Sequence, residues 1–328
     1  MGAVLVTGGA GYVGSHVVRA LRERGFGVVV LDDLSSGRRA AISDAAFVES
    51  RCGDPAVVER TVREHQVDVI VHMAASCEVA ESVAHPGKYF RNNVAESIGL
   101  LDGAVRAGVR AIVFSSTAAV YGEPVTTPID ERHPTAPANP YGESKLAIER
   151  ALPWYRGAHG LQASSLRYFN AAGAHPDGDL GEDPARLSRL LPNLLRAARE
   201  GGPPVPLHGV DWSTPDGTCI RDYVHVCDLA DAHVRAVARL RAGATLPPAI
   251  NLGSGRGFSV LEVVAEVRTV TAQKVEVVPG PRRPGDPARL VASNSLALEA
   301  LGWTPRASAL PEIVASAWRW DRSRRRRE

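Results

Sequence analysis

From residue 3 to residue 170 the chain alternates short apolar runs with stretches of helical spacing, and few folds accommodate that order. The runs 3–8 (AVLVTG), 27–33 (GVVVLDD), 67–75 (VDVIVHMAA), 110–116 (RAIVFSS) and 161–170 (LQASSLRYFN) are short and rich in branched residues. Segments 12–25, 55–66, the stretch after Pro86 and 142–159 space their apolar residues as a helix does. A strand that is apolar at nearly every position is buried on both faces, which requires helices above and below a parallel sheet. Each strand–helix–strand unit crosses over right-handed, so the ligand crevice falls at the carboxyl ends of the strands. After Asn170 the texture becomes rich in Gly, Pro and Asp, with helical segments recurring at 227–241, 259–272 and 309–321. The expectation is an α/β protein, a Rossmann-type doubly wound parallel sheet over residues 1–170 with a smaller α/β substrate-binding domain over 171–328. A segment around 222–243 is expected to return to the first domain.

The first strand runs into VLVTGGAGYVGSH, where Gly8, Gly11 and Gly14 form G-x-x-G-x-x-G between a strand and a helix. Glycines there permit a tight turn and close backbone approach, and the helix N-terminus offers free N–H groups to a pyrophosphate. Asp32 ends the second strand, placed to accept both ribose hydroxyls of an adenosine. Its carboxylate would repel a 2′-phosphate, favouring NAD over NADP. Asp33 beside it either shares that role or starts the next turn. Asp54, in RCGDP, either bonds the adenine amino group or caps the following helix.

The chain has 38 Lys and Arg residues, of which three are Lys, at 88, 145 and 274. One of the three stands four residues after Tyr141, in NPYGESK, on the same face of a helix. A free tyrosine, with a pKa of about 10, takes no proton at neutral pH. A fixed ammonium nearby favours the phenolate, and the phenol then serves as a general base. Arginine's planar fork is a poor substitute for an ammonium that must also bond ribose hydroxyls. VFSSTAAVYG adds Ser115, Ser116 and Thr117 at the end of a buried strand, where a hydroxyl bridges substrate oxygen and tyrosine.

These motifs, with LRYFNAAGAHPDG, ESVAHPGKYFRNNV, DGTCIRDYVHVCDLADAH, NLGSGRGFSVLEVV and RRPGD, resemble the extended short-chain dehydrogenase/reductase family. The run from DGTCIRDYVHV onward points most specifically to its UDP-hexose 4-epimerase branch. The resemblance covers nearly the whole chain and implies interconversion of UDP-galactose and UDP-glucose through a 4-keto sugar, with tightly bound NAD and no external oxidant. It implies Tyr141 as the base, Thr117 as the hydroxyl sharing its proton path, and Lys145 as the residue that tunes the phenol and bonds the nicotinamide ribose. To the coenzyme it also assigns Tyr12, Val13, Leu34, Ser35, Met73, Ala74, Ala75, Asn93, Ser115 and Tyr168. To the UDP-sugar it assigns Asn170, Arg189, Leu190, Arg221, Tyr223, Arg283, Asp286 and Leu290. Arg282 and Arg283 have a second reading, as a solvated basic loop.

Three positions depart from the pattern the resemblance implies. Cys77 stands where many relatives carry a lysine that reaches the cofactor phosphates, so water or a backbone N–H must replace that contact. Arg189 stands where Asn or His is usual, and either grips phosphate more strongly or points outward. Leu290 is intermediate in size at a position that limits the sugar pocket, which raises the expectation of some turnover of UDP-GalNAc and UDP-GlcNAc. Two other functions stay in view. A UDP-glucuronate enzyme needs a cation for the sugar carboxylate, for which Arg189 qualifies, and an NAD-sensing regulator would keep the glycines without the chemistry. A dehydratase needs an acid–base pair after the threonine, where Ala118 and Ala119 stand.

A net charge of +2 and a pI near 8.4 are too mild to imply nucleic acid. The run RSRRRRE at 322–328 reads as a solvated tail. The four cysteines show no C-x-x-C spacing, so neither a disulfide framework nor a metal site is expected. No run reaches the roughly 18 apolar residues that span a bilayer, and the chain enters a strand almost at once. The expectation is a cytoplasmic protein; a homodimer through the helical stretches 86–107 and 142–159 is what the resemblance implies.

Overall fold

In the computed structural model, which describes residues 2–183, 189–199, 202–283 and 285–325, seven parallel strands form the main sheet. In chain order its first six strands are β1 (Ala3–Thr7), β2 (Val28–Asp32), β3 (Ala46–Glu49), β4 (Val67–His72), β5 (Ala111–Thr117) and β6 (Gln162–Tyr168). The spatial order is β10-β6-β5-β4-β1-β2-β3, where β10 is Ala249–Leu252. The order reverses between β1 and β4, and this switch point opens a crevice at the strands' carboxyl ends.

Successive residues of one strand feed opposite layers, which is why the runs are continuously apolar. Val4 and Val6 of β1 face α1 (Tyr12–Glu23) and α8 (Val226–Arg241), in a core with Val17, Leu21, Val234 and Val237. Leu5 faces the other side with Ile70 and Ile112, against α2 (Pro55–Glu64), α5 (Glu96–Arg106) and α6 (Pro140–His159), through Val58, Leu100 and Ile148. The short edge strand β3 is unannounced in the sequence, because none of its residues is buried and it lacks a continuous apolar run. The stretch after Pro86 is not uniform. A four-residue helix, α4 (Pro86–Tyr89), passes through a π-helical turn (Phe90–Ala95) into α5. That turn buries Asn93, in keeping with the habit of π-bulges to sit beside functional sites.

The remainder is built differently. β7 (Asn170–Ala172), β11 (Gly257–Ser259) and the two-residue β13 (Arg289–Leu290) all pair with β9 (Ile220–His225), while β8 (Val205–His208) pairs with β12 (Val277–Gly280). Behind them α7 (Leu190–Ala197), α9 (Val260–Thr271) and α11 (Leu310–Arg325) close a second core through Leu194, Val263, Val267 and Ile313. The chain returns to the main sheet through α8 and β10, further along than residue 243, and α10 (Ser295–Leu301) with Trp303 packs on that same layer. α3 (Val79–Ala84) lies between β4 and α4 in sequence. The last three residues of the basic run lie outside the described residues.

Candidate active site

The crevice is a cavity of about 990 Å³, at the upper end of the range of small-molecule sites. On the sheet side its floor is the glycine turn. Gly8 has φ +68, and a Cβ there would meet Ala74 N at 2.5 Å; a Cβ on Gly14 would lie 2.2 Å from Gly8 O. Turn, helix start and β4 end are thus packed backbone to backbone. No side chain caps α1, and its first residues, Tyr12, Val13 and Gly14, line the cavity. The N–H groups of such a helix start fit a diphosphate. Asp32 is aimed by Ala10 N and Leu34 N, each 2.9 Å from a carboxylate oxygen, and burial raises its pKa above the usual carboxylate value.

Asp33, Ser35, Met73, Ala74 and Ala75 line the same wall. Leu34 and Asn93 do not. Leu34 lends its N–H to Asp32 and packs on the core. Asn93 lies behind the wall, where it accepts from Ser76 N at 2.8 Å and donates to Ser76 O and Ser144 Oγ, both at 2.9 Å. Ser144 in turn donates to Tyr141 O at 2.7 Å, so Asn93 ties the wall to the first turn of α6. Asp54 resolves as a cap: its Oδ1 accepts from Ala56 N at 2.9 Å, and it does not line the cavity.

Asn139 caps α6 by accepting from Gly142 N at 2.9 Å, and Pro140 occupies the first turn. A Cβ on Gly142 would come 2.5 Å from Ala119 O. That close approach brings Tyr141 against the end of β5, where the Thr117 side chain lies near enough to the phenol to draw its pKa down. Thr117 Oγ1 also accepts from Ala119 N at 3.1 Å, so its own hydrogen is free to serve the phenol. Lys145 is 2% exposed and donates to Ser115 O at 2.8 Å, with its ammonium 4.8 Å from the centre of the Phe114 ring. Ser115 Oγ bonds the Tyr168 hydroxyl.

Burial raises the Tyr141 phenol, and the Thr117 hydroxyl and the Arg189 guanidinium pull it down. Lys145 donates to the β5 carbonyl, and burial lowers it to about 8. Sharing a helix face put the two side chains on one side but did not decide where the flexible ammonium would bond.

The opposite wall carries Asn170, Arg189, Leu190, Arg221, Tyr223, Arg283 and Asp286. Arg221 Nη1 donates to Ile220 O at 3.0 Å and Pro287 O at 2.8 Å. Its buried Nη2 has no hydrogen-bond partner and sits 3.7 Å from Asp286 Oδ1. A buried guanidinium edge without a hydrogen bond, on a residue that lines the cavity, fits an incoming phosphate. Arg283 lines the cavity, whereas Arg282 stacks over Trp212 at 4.1 Å and bonds Asp211 at 2.8 Å on the surface. Leu290 does not line the cavity; it packs with Ile129, Phe169 and Ala292.

Two features are invisible in the sequence. Glu182, from a loop with no motif, pairs with Arg189 at 3.2 Å. Beneath the glycine turn a buried chain runs from Thr7 Oγ1 to His72 Nδ1 and from His72 Nε2 to Ser97 Oγ, each 2.7 Å. Burial lowers His72 to about 3, so it stays neutral.

A parallel sheet reversing over a glycine-lined helix start, with a hydroxyl–phenol pair and a buried lysine above it, defines a dinucleotide-dependent enzyme of the short-chain dehydrogenase/reductase class. The model of the NAD dependent epimerase/dehydratase family matches residues 4–253, and the chain belongs to that family. It is 49% identical to UDP-glucose 4-epimerase of Azospirillum brasilense, over 98% of this chain and 92% of that one. The structure of UDP-glucose 4-epimerase from Brucella ovis in complex with NAD superposes with a TM-score of 0.94 at 42% identity, covering 97% of this chain and 98% of that one. The Stenotrophomonas maltophila enzyme with bound NAD and formylated UDP-arabinopyranose gives a TM-score of 0.95 at 38% identity over 100% of both chains.

Proposed function

We propose that this chain interconverts UDP-galactose and UDP-glucose, with Tyr141 as the acid–base. The observation that carries the reading is the Thr117–Tyr141 pair beside buried Lys145, in one cavity between the glycine cradle and the Arg221 edge. Gly8, Gly11 and Gly14 with the start of α1 would hold a nicotinamide dinucleotide's diphosphate, Asp32 its adenosine ribose, and Lys145, Ser115 and Tyr168 its nicotinamide end. When bound, that coenzyme supplies a place for the C4 hydride to go and to return from, and in its oxidised form a positive charge near the phenol.

Tyr141 takes the proton of the sugar 4-OH, with Thr117 holding the oxygen it leaves. Its phenol, raised chiefly by burial and drawn down by the Arg189 guanidinium, would be drawn down further by the positive charge of an oxidised coenzyme. Arg221 and Arg283 hold the UDP diphosphate, Asp286 the uridine ribose, and Asn170 and Tyr223 the space between. The anchored 4-keto sugar swings about its diphosphate to present its other face, and Tyr141 gives back the proton.

The rival readings gain nothing. Arg189 gives its Nη1 edge to Glu182, and its remaining edge favours a uronate carboxylate no more than a phosphate. A regulator has no use for a buried lysine beside a hydroxyl–phenol pair. Because Leu290 lies off the cavity wall, its size gives no support to N-acetylated substrates. The division into a coenzyme part, residues 1–170 with the return through α8 and β10, and a substrate part belongs to this proposal. So does a cytoplasmic homodimer, supported by exposed Phe90 (42%) and Trp154 (79%) on the two helical stretches; among the described residues no helix is long and apolar enough to cross a membrane. The test is to purify the protein, measure NAD released on denaturation, and follow UDP-glucose formed from UDP-galactose. Absence of conversion by NAD-loaded protein removes the reading.

A further inference from the structure

Arg189 is held on the wall opposite the glycine turn, yet its side chain points across the cavity toward it. The residue immediately precedes α7. Its Nη1 pairs with Glu182 Oε1 at 3.2 Å, its Nη2 donates to Cys77 Sγ at 3.6 Å, and its Cζ lies 5.8 Å from the centre of the Tyr12 ring. Cys77 follows β4 and Tyr12 is the first residue of α1, so both belong to the sheet side. The Tyr12 ring is itself fixed, because its hydroxyl donates to Gly173 O at 2.6 Å. Arg189 is therefore a strap between the two walls, and it ends beside the uncapped start of α1.

The way its donors are spent shows what is missing. Glu182 takes one edge of the guanidinium with a full charge. The Nη2 edge is given to a cysteine sulfur, among the weakest acceptors a protein offers. A phosphate oxygen arriving at the α1 N-terminus would be a far better partner for it, since charge-assisted bonds from a planar fork are the strong ones. The substrate's diphosphate has its own donors further along the opposite wall, in Arg221 with its open Nη2 and in Arg283.

Building on the function proposed above, we propose that Arg189 latches the coenzyme rather than the substrate: its Nη2 edge binds the dinucleotide's diphosphate from the far wall, and Glu182 keeps it aimed. It is a positioning and retention residue, which also draws the Tyr141 phenol down. Coenzyme release then requires the strap to let go, which keeps the dinucleotide in place while the sugar turns over and leaves.

The test compares the full-length parent with R189A, R189K and E182Q. Coenzyme retained after exhaustive dialysis is quantified by denaturation, NAD affinity of the stripped proteins is measured by calorimetry, and KM for UDP-galactose is taken with NAD saturating. Loss of a charged hydrogen bond predicts NAD binding weaker by about ten- to hundredfold in R189A, with R189K and E182Q between it and the parent and KM for UDP-galactose unchanged. R189Q, which keeps the stem, gives the same readout should the alanine variant fail to fold. NAD retention in R189A equal to that of the parent overturns the proposal, as does a rise in KM for UDP-galactose at unchanged NAD affinity, which would assign Arg189 to the substrate. A parent that binds NAD but converts no UDP-galactose instead removes the functional reading, and the NAD titrations still decide the strap.

Discussion

The sheet side and the substrate side of the cavity are held by different physics. On the sheet side the contact residues cluster around the ends of strands and the starts of α1 and α6, elements whose inner faces are buried. There Glu149 of α6 and Arg167 of β6 form an ion pair, each side chain 8% exposed, which also ties in the Ser116 hydroxyl and, through Arg167 Nη1 at 2.9 Å, Tyr121. On the substrate side the contacts are arginines on short strands and loops, anchored to carbonyls or single carboxylates. The first wall is rigid because burying it stabilises the fold. The second presents polar groups to the sugar, although Tyr223 of β9 anchors it in the second core.

The largest effect should come where the walls meet. Tyr141→Phe removes one hydroxyl, and turnover should fall about 10²- to 10⁴-fold while the melting temperature and the bound NAD stay unchanged; unaltered turnover would break the assignment. Within the sheet side, Glu149→Gln leaves the Arg167 charge buried and uncompensated. It should cost about 3 kcal/mol or more in denaturant unfolding, a loss that no loop arginine should match. Exposed Arg283 is the counterpart. Arg283→Ala should raise KM for UDP-galactose about tenfold without moving the melting temperature, and a drop in stability of the Glu149→Gln size would erase the contrast between the walls.

The smallest effect is a slope with pH. Burial holds His16 and His72 at about 3, and His225 and His233 at about 4. The unfolded chain takes up these protons below about pH 6.5 and the folded protein refuses them. The stability they permit is intact above that pH and declines as it falls toward their folded values. Three of the four lie in the layers of the main sheet, so acid should loosen the coenzyme side first, read as NAD release before loss of the α9–α11 core. Replacing His72 by Gln should flatten part of that slope.

Much of this could be read from the chain. The period of the apolar runs fixes a parallel sheet, the glycines after β1 fix the turn, and Tyr141 and Lys145 fall on one helix face whatever surrounds them, because local geometry alone sets those relations. β3 was hidden because an edge strand needs no continuous apolar run. Leu290 packs against the cluster of Ile129, Phe169 and Ala292, a placement that two residues of strand do not announce. Only the tertiary structure decided that Lys145 would bond a strand carbonyl, that Asp54 would cap α2, and that Glu182, Arg189 and Cys77 would meet across the cavity. Those contacts join residues far apart in sequence through loops without a period, and a charge finds its partner by where the packed elements leave it.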